Sequence, residues 1–319
     1  MSVALAPWQA AVLSTLEPAL SGQRLGHALL LVGADGLGAD RLAAALAARI
    51  LCTAPVEGRA CGRCRGCTLH QAGSHPDVIR ETLEFNEKTG KTRSEILIGQ
   101  MRRLGEWFAL TPQLGGAQVA VIDPADALNR AAANALLKTL EEPAGNRFLL
   151  LVTEAPQRLP ATIRSRCQRF ELRLPPREAA LAWLREQGVA EAEAALDAAR
   201  GNPGLALRWA NEGVLALRRS LAKELQAVAA GSASPVELAR AWAQDESLEL
   251  RLKLAAEYAQ VLCGRAVSGA GLTPGMDFQK LSAWFDAANR LRGLLGSPIR
   301  IDLAVAGLLR DWREACGAP

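Results

Sequence analysis

The stretch that most constrains the fold is Gly33-Ala-Asp-Gly-Leu-Gly-Ala-Asp40. It follows the apolar run Ala28-Leu-Leu-Leu-Val32 and leads into an Ala/Leu-rich helix predicted over about 41–51. A buried strand, a glycine-rich loop and a helix in that order form the layout of a phosphate-binding loop, whose pattern is G-x-x-x-x-G-K-S/T. Gly33 and Gly38 fill the glycine positions, but Ala39 stands at the lysine position and Asp40 at the hydroxyl position. The lysine puts positive charge on the outer phosphates and the hydroxyl holds magnesium. A charge-assisted hydrogen bond is worth about 1.5–3 kcal/mol, so losing the lysine alone weakens nucleotide binding roughly ten- to a hundredfold. Amides at the helix start still favour an anion weakly. The plainer alternative is a glycine-rich turn with no tie to nucleotides.

A second position follows the same trend. Gln118-Val-Ala-Val-Ile-Asp123 is an apolar strand ending in an acid. In a P-loop ATPase that acid holds magnesium and a following glutamate orients the attacking water. Here Pro124 follows, and Asp126 is poorly spaced for the task.

The chain has 319 residues, half of them apolar, which suits two or three domains with full cores. No run approaches the roughly 18 apolar residues of a membrane span. The N-terminal stretch lacks the basic-then-apolar pattern of a signal peptide, so a cytoplasmic location is expected. A net charge of +4 permits nucleic-acid contact without arguing for it.

Four of the seven cysteines cluster as Cys52, Cys61, Cys64 and Cys67, spaced C-x8-C-x2-C-x2-C. Four thiolates close a tetrahedral zinc site with no open position, hence a structural one. Arg59, Arg63 and Arg65 offset its negative charge. An iron–sulfur cluster is the competing reading, although the C-x3-C-P ending is absent. His70 is a spare ligand that the site does not need. His27 reads as a structural residue at a strand start.

Alternating strands and helices to about residue 172 predict a parallel α/β sheet with its site at the strand C-termini. A helix is expected over 5–20, with Trp8, Val12 and Leu16 on one face. Ser94 is expected to cap a helix carrying Ile96, Met101 or Ile98, Leu104 and Phe108. Lys88, Lys91, Arg93, Arg102 and Arg103 make that region basic, either as a solvated face or as a DNA contact. A further helix over 129–142 should stop at Pro143. Beyond Pro175-Pro176 the chain reads as helical. The expected stripes are Leu217, Leu221, Leu225 and Val228; Leu250, Leu254, Tyr258 and Val261; and Phe278, Leu281, Phe285 and Ala288. Breaks are expected near 231–235, 268–275 and 296–298.

Taken together, Pro7-Trp8-Gln9, His27-Ala-Leu-Leu-Leu-Val-Gly33, the four cysteines, Asn134-Ala-Leu-Leu-Lys-Thr-Leu-Glu-Glu-Pro143 and Ser165-Arg-Cys167 resemble the delta prime family of bacterial DNA polymerase III clamp-loader subunits. The last two motifs are shared with the gamma/tau motor subunits, from which the broken loop separates this chain. The resemblance implies an AAA+ architecture: a RecA-like domain (1–173) with an inserted zinc module (52–67), a small helical lid (174–212) and a helical collar (213–319). It implies zinc on Cys52, Cys61, Cys64 and Cys67. It also implies that Arg166 serves as an arginine finger in trans to a neighbour's ATP. A motor's lid carries a sensor arginine near the 201–205 turn, about where Gly204 stands here. The implied partners are delta and gamma/tau in a ring, with the sliding clamp and primer–template DNA met through that complex. No catalysis is expected from the isolated chain, although the assembly belongs to the polymerase III holoenzyme. Two alternatives are an ATPase motor subunit with unusual loop residues and a zinc-containing DNA-binding module.

Overall fold

The computed structural model describes residues 4–22, 24–142, 145–267 and 277–316. The described chain forms two compact units, Met1–Arg208 and Trp209–Pro319.

The first unit is built on a five-stranded sheet. After α1 (Pro7–Ser21) come β1 (Ala28–Gly33), α2 (Ala39–Leu51), α3 (Arg65–Gln71) and β2 (Val78–Glu81). A small hairpin, β3 (Phe85–Asn86) with β4 (Lys91–Thr92), precedes α4 (Ile98–Ala109). Then follow β5 (Gln118–Ile122), α5 (Arg130–Glu141), β6 (Arg147–Thr153), α6 (Ala161–Arg164) and β7 (Gln168–Leu172). The sheet order is β2-β5-β6-β1-β7, and each neighbouring pair is parallel. From β1 the chain crosses to the far edge at β2, steps back through β5 and β6, and ends beyond β1 at β7. The order therefore reverses around β1, and ligand crevices form outside the strand C-termini at such a reversal.

Residue alternation along the strands explains the layering, because successive side chains point to opposite faces. Leu29, Leu31, Val119, Val121, Leu150 and Val152 pack with Leu42 and Leu46 of α2 and with Leu13 and Leu16 of α1. Leu30, Ala120, Ile122, Leu149 and Leu151 pack on the other face with Leu104 and Phe108 of α4 and Leu136 of α5. Strands buried on both faces read as continuous apolar runs, which is why 28–32 and 148–152 stand out in the sequence.

Two details differ from expectation. Ser94 does not cap α4. The helix starts later, at Ile98, and the Gln100 side chain accepts from the Leu97 N–H at 3.0 Å. Ile96 instead makes an isolated parallel bridge with Leu128, through its N–H to Ala127 O at 2.8 Å. Pro143, expected to end α5, lies outside the described residues.

The first unit closes with α7 (Arg177–Glu186), α8 (Ala192–Ala198) and the start of α9 (Pro203–Asn211). The second unit is helical: α10 (Val214–Ala229), α11 (Pro235–Ala243), α12 (Leu248–Val267), α13 (Phe278–Leu294) and α14 (Ile301–Cys316). Its core is fixed by indoles with satisfied N–H groups. Trp312 Nε1 donates to Leu225 O at 2.9 Å, and Trp284 Nε1 donates to Leu308 O at 2.6 Å. The two rings meet edge-on at 4.7 Å, a favoured geometry for aromatic pairs. The predicted α10 stripe is buried at Leu221, Leu225 and Val228. On α12 the buried line runs through Leu248, Leu252, Ala255 and Ala259, with Leu254 beside it. On α13 Phe278 is exposed and Trp284 takes the interior place. The indole offers more area to bury and finds a carbonyl for its N–H. The break expected at 268–275 lies outside the described residues. Among the described residues, no helix is long and apolar enough to cross a membrane.

Candidate functional site

The glycine loop leaves the C-terminal end of β1 and enters α2 at Ala39. Its geometry is set from two directions. The Trp8 indole N–H and the Gln9 amide on α1 both donate to Leu37 O, at 2.9 and 2.8 Å. Gln9 is 3% exposed, so its amide is buried directly against the loop. Gly38 is left-handed at φ +74°, and a Cβ there would collide with Gln9 Nε2. Pro7-Trp8-Gln9 thus clamps the loop from the helix before β1.

From the other side comes the start of α9. Asn202, 7% exposed, donates from Nδ2 to Asp35 O at 2.7 Å and accepts from the Leu205 N–H at 3.0 Å. The Arg208 guanidinium grips the Asp35 carboxylate with both arms, Nη1 on Oδ1 at 3.0 Å and Nη2 on Oδ2. Arg208 lies one helical turn beyond Gly204. It reaches back to the loop, where its anionic partner is the Asp35 carboxylate.

The acids of the sheet are engaged within the sheet itself. Asp123, at the exit of β5, is paired with Arg80 of β2 at 2.6 Å. Asp126 accepts from Thr153 Oγ1 at 2.6 Å and lies 3.7 Å from Arg158. Burial pushes the Glu154 carboxyl above its ordinary range, and the nearby charges of Asp35, Asp126 and Asp123 push the same way. With Ala39 on the loop, the carboxylates of Asp35, Asp123, Asp126 and Glu154 make this neighbourhood a poor setting for a polyphosphate. The acid expected to hold magnesium is engaged by Arg80.

Arg166 sits on a different corner, just past α6. Its Nη1 donates to Thr162 O at 2.9 Å and its Nη2 meets Glu141 Oε1 at the end of α5 at 2.8 Å. The side chain is 38% exposed. A guanidinium has five donors in a fixed fork, and these two contacts do not exhaust them. Cys167 beside it is turned inward, and burial raises its thiol to about 11. The Ser-Arg-Cys run therefore presents its arginine and withdraws its cysteine.

The four cysteines meet between α2 and α3. Cys52 ends α2, Cys64 caps α3 and Cys67 lies within it. Their sulfurs all fall within 4.8 Å of one another, with Cys64 Sγ and Cys52 Sγ 4.0 Å apart. A tetrahedron with metal–sulfur bonds of about 2.3 Å has edges of about 3.8 Å, so the cluster is sized for one ion. Backbone N–H groups already point at the sulfurs: Cys61 N to Cys52 Sγ at 3.3 Å and Cys64 N to Cys61 Sγ at 3.4 Å. The Cys67 N–H beside Cys64 lowers that thiol to about 6. This cluster could hold a metal ion. His70 is committed elsewhere, with Nε2 on Ala44 O at 3.0 Å. His27 likewise bonds Leu140 O at 3.0 Å, a structural contact between the start of β1 and α5.

Sequence reasoning singled out the loop, Asp123, Arg166 and the cysteines, and the structure brings the four cysteines together. It missed Gln9 as a loop clamp and Asn202, Arg208, Arg80, Glu154 and Glu141 altogether. The Trp8-Gln9 pair was visible as a motif, but its task was not.

The family described as DNA polymerase III, delta subunit, matches residues 8–176. The DNA polymerase III subunit delta' of Pseudomonas aeruginosa is 40% identical over 212 residues, covering 65% of this chain and 62% of the relative. That of Escherichia coli is 39% identical over 204 residues, covering 63% and 59%. The tau/gamma subunit of Haemophilus influenzae is 35% identical over 162 residues, covering 51% of this chain and 22% of the relative. The matches span roughly three fifths of the length of the delta' relatives named here. A solved gamma subunit-related protein of Thermotoga maritima shares the fold, with a TM-score of 0.51 at 18% identity over 95% of this chain and 99% of that chain.

Proposed function

The chain belongs to the DNA polymerase III delta-subunit family, and from that premise we propose that it is a non-catalytic subunit of the polymerase III clamp loader. It would support ATP-dependent loading of the sliding clamp onto primed DNA without burning ATP itself. The observation that carries this reading is the glycine loop. Ala39 and Asp40 replace the lysine and hydroxyl, Gln9 and Asn202 occupy the loop's flanks, and Arg80 neutralises Asp123.

On this reading Arg166 acts on a neighbour's nucleotide. Arginine fingers in trans are worth about 10³–10⁵ in rate in GTPase systems, and one finger among several sites shows less. The exposed corner and the free donors of its guanidinium support that role. The residues up to about 173 would be the RecA-like part, 174–212 the lid, and 213–319 a collar packing with delta and gamma/tau, all in the cytoplasm. Zinc would fill the cysteine cluster as a structural ion, with Cys52, Cys61, Cys64 and Cys67 as its ligands. It would tie the end of α2 to α3 and supply no chemistry.

The test is reconstitution with delta and gamma/tau. One stable complex, whose DNA-stimulated ATP hydrolysis falls when Arg166→Ala is introduced, is the expected result. Failure to co-purify, or unchanged hydrolysis and clamp loading with Arg166→Ala, defeats the proposed role. Metal analysis should give about one zinc per chain; iron, or no metal, overturns that part.

A further inference from the structure

We propose that the groove between α1, α2 and the cysteine module is a docking site for an acidic peptide segment of a partner protein, and that the module serves to build one of its walls. The part given to the module rests on the zinc reading. The docking site itself stands apart from the roles given to the glycine loop and to Arg166.

The groove is a cavity of about 370 Å³, within the usual range of ligand sites, about 300–1,000 Å³. Three parts of the first unit line it. Ala44, Ala45 and Ala48 of α2 share one face at helical spacing, and all three are half-buried. Leu13 of α1, with Leu5 ahead of it, adds aliphatic surface. Ala60, Gly62 and Cys67 come from the cysteine module. Ala60 and Gly62 flank Cys61, so this wall takes its position from the four sulfurs, which lie within 4.8 Å of one another. An ion closed in by four thiolates fixes the segments that carry them.

The charges name the occupant. Arg41, Arg59 and Arg80 line the groove with a single carboxylate, Asp40. Arg80 is engaged by Asp123. Arg41 and Arg59 are exposed, and neither is ion-paired among the described residues. A guanidinium fork matches a carboxylate through two parallel bonds. The alanine and leucine surface suits an aliphatic side chain. A peptide with aliphatic residues between carboxylates supplies both. Single-stranded nucleic acid is the rival polyanion, but its bases stack on aromatic rings. No Phe, Tyr or Trp lines this groove, and His70 is held on Ala44 O.

Fluorescence anisotropy with the full, zinc-loaded chain tests the site. The probe is a pool of labelled octapeptides in which Asp or Glu alternates with Leu, Ile or Val. The controls are the matching Lys and Arg pool and an eight-base oligothymidylate. The acidic pool should bind saturably and the two controls should not. Arg41→Glu and Arg59→Glu should each weaken binding about tenfold or more. Ala48→Leu, which fills the aliphatic surface, should weaken it as well. Arg63→Glu, on the same module but outside the groove, should change it less than about threefold. Chelation of the metal should abolish binding while most of the helical circular dichroism remains. No saturable binding of the acidic pool, equal binding of either control, or indifference to both charge reversals would overturn the docking site. Undiminished binding after chelation, in protein shown by metal analysis to have been loaded, would overturn the part given to the module. The metal analysis keeps a failure of the zinc reading separate from a failure of the groove.

Discussion

Two corners of the sheet carry residues that a nucleotide-driven subunit would use, and they are held in opposite ways. The glycine loop is gripped from both flanks by nearly buried amides, Gln9 and Asn202. Its carboxylate is paired from within the chain by Arg208, and the nearby acid Asp123 by Arg80. Arg166 is held by one exposed carboxylate and one carbonyl. The first corner is held chiefly by two nearly buried amides, whose loss would leave polar groups unpartnered, while its ion pairs to Arg208 and Arg80 are partly exposed. The second keeps a cation whose partner is half in water, and such a pair contributes only about 0–1 kcal/mol.

The sharpest way to break this contrast is at the weakly held corner. Arg166→Ala should lower DNA-stimulated ATP hydrolysis of the reconstituted complex by on the order of tenfold or more, with no change in the Tm of the isolated chain. A large fall in Tm would mean that the arginine is structural and that both corners are alike. Restoring the lost side chains probes the strongly held corner. Ala39→Lys combined with Asp40→Thr should raise Mg-ATP affinity by at most about ten- to a hundredfold and give no turnover, because Arg80 still engages Asp123 and Arg208 still pairs with Asp35. Titration calorimetry with a phosphate-release assay checks both halves.

Glu141→Gln asks how firmly Arg166 is tethered. It should change hydrolysis by the complex about two- to fivefold, well short of the Arg166→Ala effect. An equal effect would make Glu141 indispensable to the finger. The smallest expected change concerns Glu154. Its folded-state pKa is raised, chiefly by burial and also by neighbouring acids, so its ionisation disfavours the folded state. That penalty is absent below the ordinary glutamate pKa of about 4.3 and present once pH exceeds the raised value. Glu154→Gln should therefore raise Tm slightly at neutral pH, and the gain should vanish as pH falls to about 4. Matched thermal melts across that range would show it.

What the sequence made legible follows from how local each signal is. The strand, loop and helix around Gly33–Asp40 are contiguous, and so are the cysteines of the cluster apart from Cys52. The buried strands announce themselves because both their faces are covered. Polar residues that act across long separations gave no such signal. Gln9 and Leu37 are 28 residues apart, Arg80 and Asp123 43, Asn202 and Asp35 167, and Arg208 and Asp35 173. Nothing near Arg208 distinguishes it from other arginines on a helix surface, since its meaning comes from the fold that brings Asp35 to it. The misplaced start of α4 has a similar cause. Ser94 is a good local cap, but the Ile96–Leu128 bridge draws the chain into extended pairing before the helix can begin. On α13 the exposed Phe278 and buried Trp284 show packing overriding a stripe drawn by period alone.

The central claim is that this chain has kept the shell of a motor while its own nucleotide site is closed. The most direct measurement is Mg-ATP titration of the purified chain alone, followed by an assay for released phosphate. The account predicts no saturable binding in the micromolar range and no hydrolysis above background. Micromolar affinity with steady turnover would contradict it.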